Sequence, residues 1–112
     1  MSIFGKLFGK TKKPGTPAYR AAEAMKLHGQ PVKYVTEHID GNEDIVGRGG
    51  SVSVVSDRLI VDSSGERLFI CPIREVDVSW LMSGNGVVIS GTNELEDGKH
   101  RSITVHFVYY RK

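Results

Sequence analysis

A chain of 112 residues with a formal net charge of +2 and a single cysteine, Cys71, is enough for one compact domain and not two. It excludes an intrachain disulfide. No apolar run approaches the roughly 20 residues that a membrane-spanning helix needs.

The charge is unevenly placed. Residues 1–30 carry six basic side chains against one acidic, a net of +5, and the remainder carries nine against twelve, a net of −3. A nucleic-acid binder concentrates basic charge on its folded face. Here that charge sits on a leader, which points to an anionic membrane surface or an acidic partner. The start has no apolar core or small-residue cleavage site of a secretory signal. The expected location is therefore cytoplasmic, at the inner face of the membrane where the leader engages it.

Residues 1–16 read as leader and linker. Ile3, Phe4, Leu7 and Phe8 share one helical face, with Lys6 and Lys10 off it and Lys12 and Lys13 following. In a membrane-docking reading, Phe4, Leu7 and Phe8 enter the acyl boundary while Lys6, Lys10, Lys12 and Lys13 meet anionic headgroups. The competing reading is a frayed terminus, because Gly5, Gly9 and the short length disfavour an isolated helix. Pro14 to Pro17 end any such helix.

Residues 17–112 read as one domain. Thr16 is placed to cap a helix over 17–29, with Pro17 as its first residue and Gly29 as its stop. From Val32 the apolar period changes to two, which marks strands up to residue 110. Asp40 to Asp44 reads as an acidic loop, Gly47 to Gly50 as a bend or bulge, and Ser56-Asp57 as a tight turn. Asn85-Gly86 is the strongest hairpin signal, since a type I′ turn needs two positive φ angles. Val76, Val78 and Trp80 alternate onto one face. The last strand, 101–110, is apolar on both faces (Ile103, Val105, Phe107 and Tyr109 against His106, Val108 and Tyr110), so it calls for cover on both. Tyr109 and Tyr110 are the candidate contacts for a protein partner or a second copy. The expected fold is all-β with one helix: a small antiparallel barrel of about seven strands, with the N-terminal helix packed on it.

The sequence carries little catalytic chemistry. His28, His38, His100 and His106 form no short-range zinc pair, although His38 and His106 could meet across the sheet. Cys71, between Ile70 and Pro72, reads as a small core hydrophobe. Asp40, Asn42 and Asp44 begin like a calcium loop, but Ile45 and Ser51 stand where its glycine and glutamate belong. The glycine-rich stretches lie between strands and not before a helix, so they are turns and not phosphate cradles. No metal, cofactor or small-molecule substrate is indicated, and the chain reads as no enzyme. A hydrolase would need a pocket joining His38 or His106 to carboxylates. Tyr34, Trp80, Tyr109 and Tyr110 offer the alternative of an oligonucleotide-binding barrel for single strands, against which the acidic body argues.

The order Gly50, Ser56-Asp57-Arg58-Leu59-Ile60, Cys71-Pro72-Ile73, then Val76 and Val78, resembles the pleckstrin-homology-like (PH-like) domains, in particular their GRAM and bacterial branch, over roughly residues 32–110. The resemblance implies a barrel that serves as a non-enzymatic binding or scaffolding module. Family members close one barrel mouth with a C-terminal helix, which this chain lacks after its last strand; the helix at 17–29 or a partner would have to replace it. The acidic stretch at Asp40–Asp44 repels phosphate, so no residue is assigned to inositol phosphates.

Overall fold

The computed structural model describes residues 15–108. The membrane-contact candidates Phe4 to Lys13, and the partner-contact candidates Tyr109 and Tyr110, lie outside that range.

Thr16 sits in extended backbone, and its hydroxyl accepts the Tyr19 N–H at 3.2 Å. With Pro17 following, this starts helix α1 at Pro17–Met25. The regular helix is shorter than the expected 17–29. After Met25 the chain tightens into three-residue closures, such as Leu27 N–H to the Ala24 carbonyl at 3.0 Å, and turns at Gly29 with φ +86°. Ala24 and Leu27 are fully buried.

Among the described residues eight strands follow, one more than the pattern predicted: β1 Val32–Ile39, β2 Asn42–Arg48, β3 Ser51–Val55, β4 Arg58–Ser63, β5 Glu66–Pro72, β6 Asp77–Trp80, β7 Gly86–Asn93 and β8 Lys99–Phe107. They form two antiparallel sheets, ordered β2-β1-β8-β7-β6 and β3-β4-β5. The extra strand comes from the expected acidic loop. Only Asp40-Gly41 turns, with φ 50° and 82°, and Asn42 to Asp44 already pair with β1. The Asp-Gly dipeptide supplies the two positive φ angles of a tight hairpin. Ser56-Asp57 turns as expected, with φ 49° and 64°.

Asn85-Gly86 does not make the β6–β7 turn. Trp80 pairs with Val87, which leaves Leu81 to Asn85 as a longer connection. The turn closes from the Gly84 N–H to the Leu81 carbonyl at 2.9 Å, with Gly84 at φ +78°. Gly86 instead opens β7, where a Cβ would lie 2.6 Å from the Val105 carbonyl oxygen. It is a close-packing glycine and not a turn glycine.

One core lies between the sheets. Val35, Val87, Ile89, Ile103, Val105 and Phe107 face it from the larger sheet; Val52, Leu59, Val61, Phe69 and Cys71 face it from the smaller. Each such side chain contributes about 1.5–3 kcal/mol by leaving water. The residues from α1 to β1 bridge the two sheets. Arg20 pairs with Asp77 of β6 at 2.8 Å. At the far end, Gly29 N–H donates to the Val52 carbonyl at 2.8 Å, and His28 Nδ1 accepts the Val54 N–H at 2.9 Å. The outer edge of β3 is thus capped by residues that follow the helix.

On the opposite side, side chains replace strand pairing. Asn93 is fully buried. Its Oδ1 accepts the Ile70 N–H at 3.1 Å, and Arg101 Nη1 donates to the Leu68 carbonyl at 2.8 Å. Arg101 also holds Glu37 through Nε and Nη2, at 2.9 and 2.8 Å. The glycine bend behaves as expected. Gly50 has φ +108° and packs against Asp62, and Ser63 Oγ donates to the Gly49 carbonyl at 2.6 Å.

The last strand does not offer an open edge. β8 lies in the middle of its sheet, between β1 and β7. Its inner side chains are buried, and His106 on the outer face is half-buried. No helix among the described residues is long and apolar enough to cross a membrane.

Candidate functional site

Where β1 begins and β8 ends, an open cleft of about 460 Å³ lies beneath the β6–β7 connection. Lys33 and Tyr34 of β1 and His106 of β8 form one wall; Ser83 and Asn85 come from the connection, and Leu81, Phe107 and Val108 supply apolar surface. The register explains the wall. A bulge between Val32 and Tyr34 turns Tyr34 to the outer face, opposite His106. The two rings stack with centroids 4.4 Å apart and planes 26° apart.

Behind the rings runs a hydrogen-bonded relay. Thr36, which is buried, donates its hydroxyl proton to Glu43 Oε2 at 2.7 Å. His106 Nε2 lies 3.5 Å from the same hydroxyl oxygen. With the threonine proton given to Glu43, the contact is a hydrogen bond only for a His106 ring that carries hydrogen on Nε2. Burial lowers the His106 pKa from 6.5; Glu43 opposes this and the Lys33 ammonium adds to it. His106 is therefore neutral at pH 7.

The cleft is rich in donors. None of its described lining residues is acidic. Lys33 has no carboxylate within 4.0 Å among the described residues. Ser83 Oγ accepts the Asn85 N–H at 3.3 Å, which leaves its own proton free to donate. A second hollow, beside the β4–β5 turn, differs in kind: its cation, Arg67, is paired with Asp62 at 3.1 Å.

The other sequence candidates separate. His38 and His106 do not meet: Tyr34 is the cross-strand neighbour of His106, and His38 lies 3.5 Å from Glu43 at the outer end of the hairpin. Among the described residues no three His, Cys, Asp or Glu side chains are grouped to hold a metal ion. Cys71 is fully buried, and burial pushes its thiol up to about 11. Trp80 is partly buried against the core, edge-on to Phe107 at 6.0 Å between centroids. No local pattern in the sequence marks Lys33, Ser83 and Asn85 as a site. Tyr34 offers a stacking ring and His106 a zinc or hydrolase candidate from sequence, and period-two alternation places both on strands. Only the register brings them together.

The chain matches no protein-family model, and comparisons with curated proteins and with solved structures give no significant match.

Proposed function

We propose that this chain is a non-enzymatic binding module of PH-like architecture, whose ligand enters the cleft at Lys33, Tyr34 and His106 and whose basic leader holds it at an anionic membrane surface. The observation that carries the reading is the cleft itself: an uncommitted cation and hydroxyl beside aromatic and aliphatic walls, mounted on a paired sheet. Its size falls within the range of small-ligand pockets, about 300–1,000 Å³. Support for the PH-like part comes from the arrangement of the motif residues. Gly50 leads into β3, Ser56-Asp57 turns the β3–β4 hairpin, and the Pro72 carbonyl accepts from Glu75 and Val76 N–H at 3.0 and 3.2 Å, which makes the step into β6. In this reading the two sheets form the barrel, and the α1 segment packs across it through Arg20–Asp77 and His28–Val54.

Each basic residue near an anionic surface contributes about 1 kcal/mol, so the four leader lysines give weak, salt-sensitive docking. Co-sedimentation of the full chain with phosphatidylserine-containing and with neutral vesicles tests the tether. Binding to the anionic vesicles alone, weakened by salt and by the combined substitution K6E/K10E/K12E/K13E, is expected. Equal partition to both kinds of vesicle, or none to either, removes the tether from the proposal.

A further inference from the structure

We propose that the cleft selects a carboxylate carried on an apolar body, with the Lys33 ammonium as counter-charge, Ser83 and Asn85 as neutral donors, and Leu81, Phe107 and Val108 against the apolar part. The inference rests on the reading of the cleft as the binding site and names its ligand class.

Three features select this chemistry. The lining holds one permanent cation and no carboxylate among the described residues, so an anion is favoured over a cation. A single ammonium with two neutral donors suits a monoanion; polyanionic phosphate groups are usually held by several basic or backbone donors. The rest of the lining is apolar and aromatic, so an inorganic anion would leave it uncovered, whereas an aryl or alkyl body buries it. A free organic acid and the C-terminus of a peptide ending in an apolar residue both carry this chemistry.

His106 adds a pH signature. It faces Lys33 and Tyr34 on β1, Thr36 behind them, and Glu43 on β2 through that threonine. A carboxylate seated near Lys33 offsets the ammonium field on His106. Binding then raises the His106 pKa, and by linkage affinity increases as pH falls through the histidine range. A ligand carboxyl with an ordinary pKa near 4.3 stays ionised there.

The test uses the full chain, followed by two-dimensional amide and histidine NMR. It is titrated with 3-phenylpropanoate, with 3-phenylpropanamide, and with N-acetyl-Ala-Phe as acid and as amide. Saturable shifts at Lys33, Tyr34, Ser83, Asn85 and His106 are expected with an acid, at least tenfold tighter than with its amide, with His106 titrating at higher pH in the complex. Response to the free acid alone identifies a small-molecule source, and to the peptide acid alone a peptide terminus; either upholds the carboxylate. Lys33→Met should weaken the acid at least tenfold with amide dispersion unchanged, because Lys33 is exposed. Equal binding of acid and amide at the cleft, or an indifferent Lys33→Met, overturns the carboxylate assignment and leaves the cleft as the binding site. No shifts at the cleft with any of the four overturns the assignment and the binding reading together.

Discussion

Tyr34 and His106 come from strands at opposite ends of the domain and stack at 4.4 Å, with the His106 ring backed by the Thr36 hydroxyl. The contact keeps the imidazole half out of water. The ring should titrate below the ordinary 6.5. A depressed folded pKa means that the unfolded chain takes up the proton first as pH falls. The stability contributed by neutral His106 is therefore full above about 6.5, and it declines as pH drops from there through the folded value. Histidine NMR gives the midpoint. Urea unfolding at pH 8 and pH 5.5 should show a smaller loss for His106→Phe, which keeps a ring on Tyr34, than for the parent. An equal loss in both would place the acid sensitivity elsewhere.

The Arg101–Glu37 pair is largely shielded, with 18% of each side chain exposed. The glutamate raises the already high arginine pKa, chiefly through their hydrogen bonds, so the ion pair persists at every accessible basic pH. Arg101→Met leaves Glu37 without its two donors and the Leu68 carbonyl without its best one. A loss of about 2–3 kcal/mol in denaturant unfolding is expected, below the range for fully buried pairs because water reaches this one. Glu37→Gln, which keeps an acceptor, should cost less.

Asn93 works as a four-way connector. Its Oδ1 serves Ile70 and Leu95 N–H, and its Nδ2 donates to the Leu68 carbonyl and Glu96. Asn93→Ala strands the Ile70 N–H on the edge of β5 and should cost about 2–3 kcal/mol. Asn93→Asp keeps both acceptors but sets a carboxylate against Glu96 and the carbonyl. Its unfolding free energy should recover relative to the parent as pH falls toward 4, a trend that an Asn93→Ala chain lacks.

Two glycines with positive φ should respond very differently. At Gly50 an added Cβ would stand 1.8 Å from the Asp62 carbonyl oxygen, at φ +108°. The β2–β3 corner cannot form around it, and Gly50→Ala should fail to give a dispersed amide spectrum. At Gly65, φ is +74° and nothing lies within 4 Å. Gly65→Ala meets only the left-handed backbone penalty, about 1–2 kcal/mol, and should fold.

Cys71 should be inert in the folded chain. It is fully buried, its thiol is raised to about 11, and its sulfur lies 2.8 Å from where a Cβ on Gly91 would stand. The thiolate is the reactive form. Iodoacetamide labelling at pH 8.5 should track global unfolding across a urea series. Rapid labelling without denaturant would mean that β5 opens locally.

By itself, the sequence determined the local elements. Thr16-Pro17 dictated where a helix starts, and Ser56-Asp57 where a hairpin turns. Alternation over 101–107 dictated which side chains face inward, because a strand has only two faces; over 32–39 the bulge between Val32 and Tyr34 broke that rule and turned Val35 inward. These are short-range effects, and neighbours along the chain suffice for them. Local rules did not decide the fold where two of them competed. Asn85-Gly86 satisfies the rule for a turn, but the pairing of Trp80 with Val87 moved the turn to Gly84 and pressed Gly86 against Val105. Asp40-Gly41 satisfies the same rule, and there it won over the acidity of the residues that follow.

Only the tertiary structure decided the rest. It set β8 between β1 and β7, paired on both edges. It assigned Arg101 and Asn93 to the edge of β5, a role that no spacing announces. It brought Lys33, Tyr34, Ser83, Asn85 and His106 to one cleft across more than 70 positions of chain. Strand register is the physical reason. A shift of one residue of β1 along β8 would turn Tyr34 to the core, away from His106, and dissolve the site, and that register is chosen by how the whole core packs, not by any segment alone.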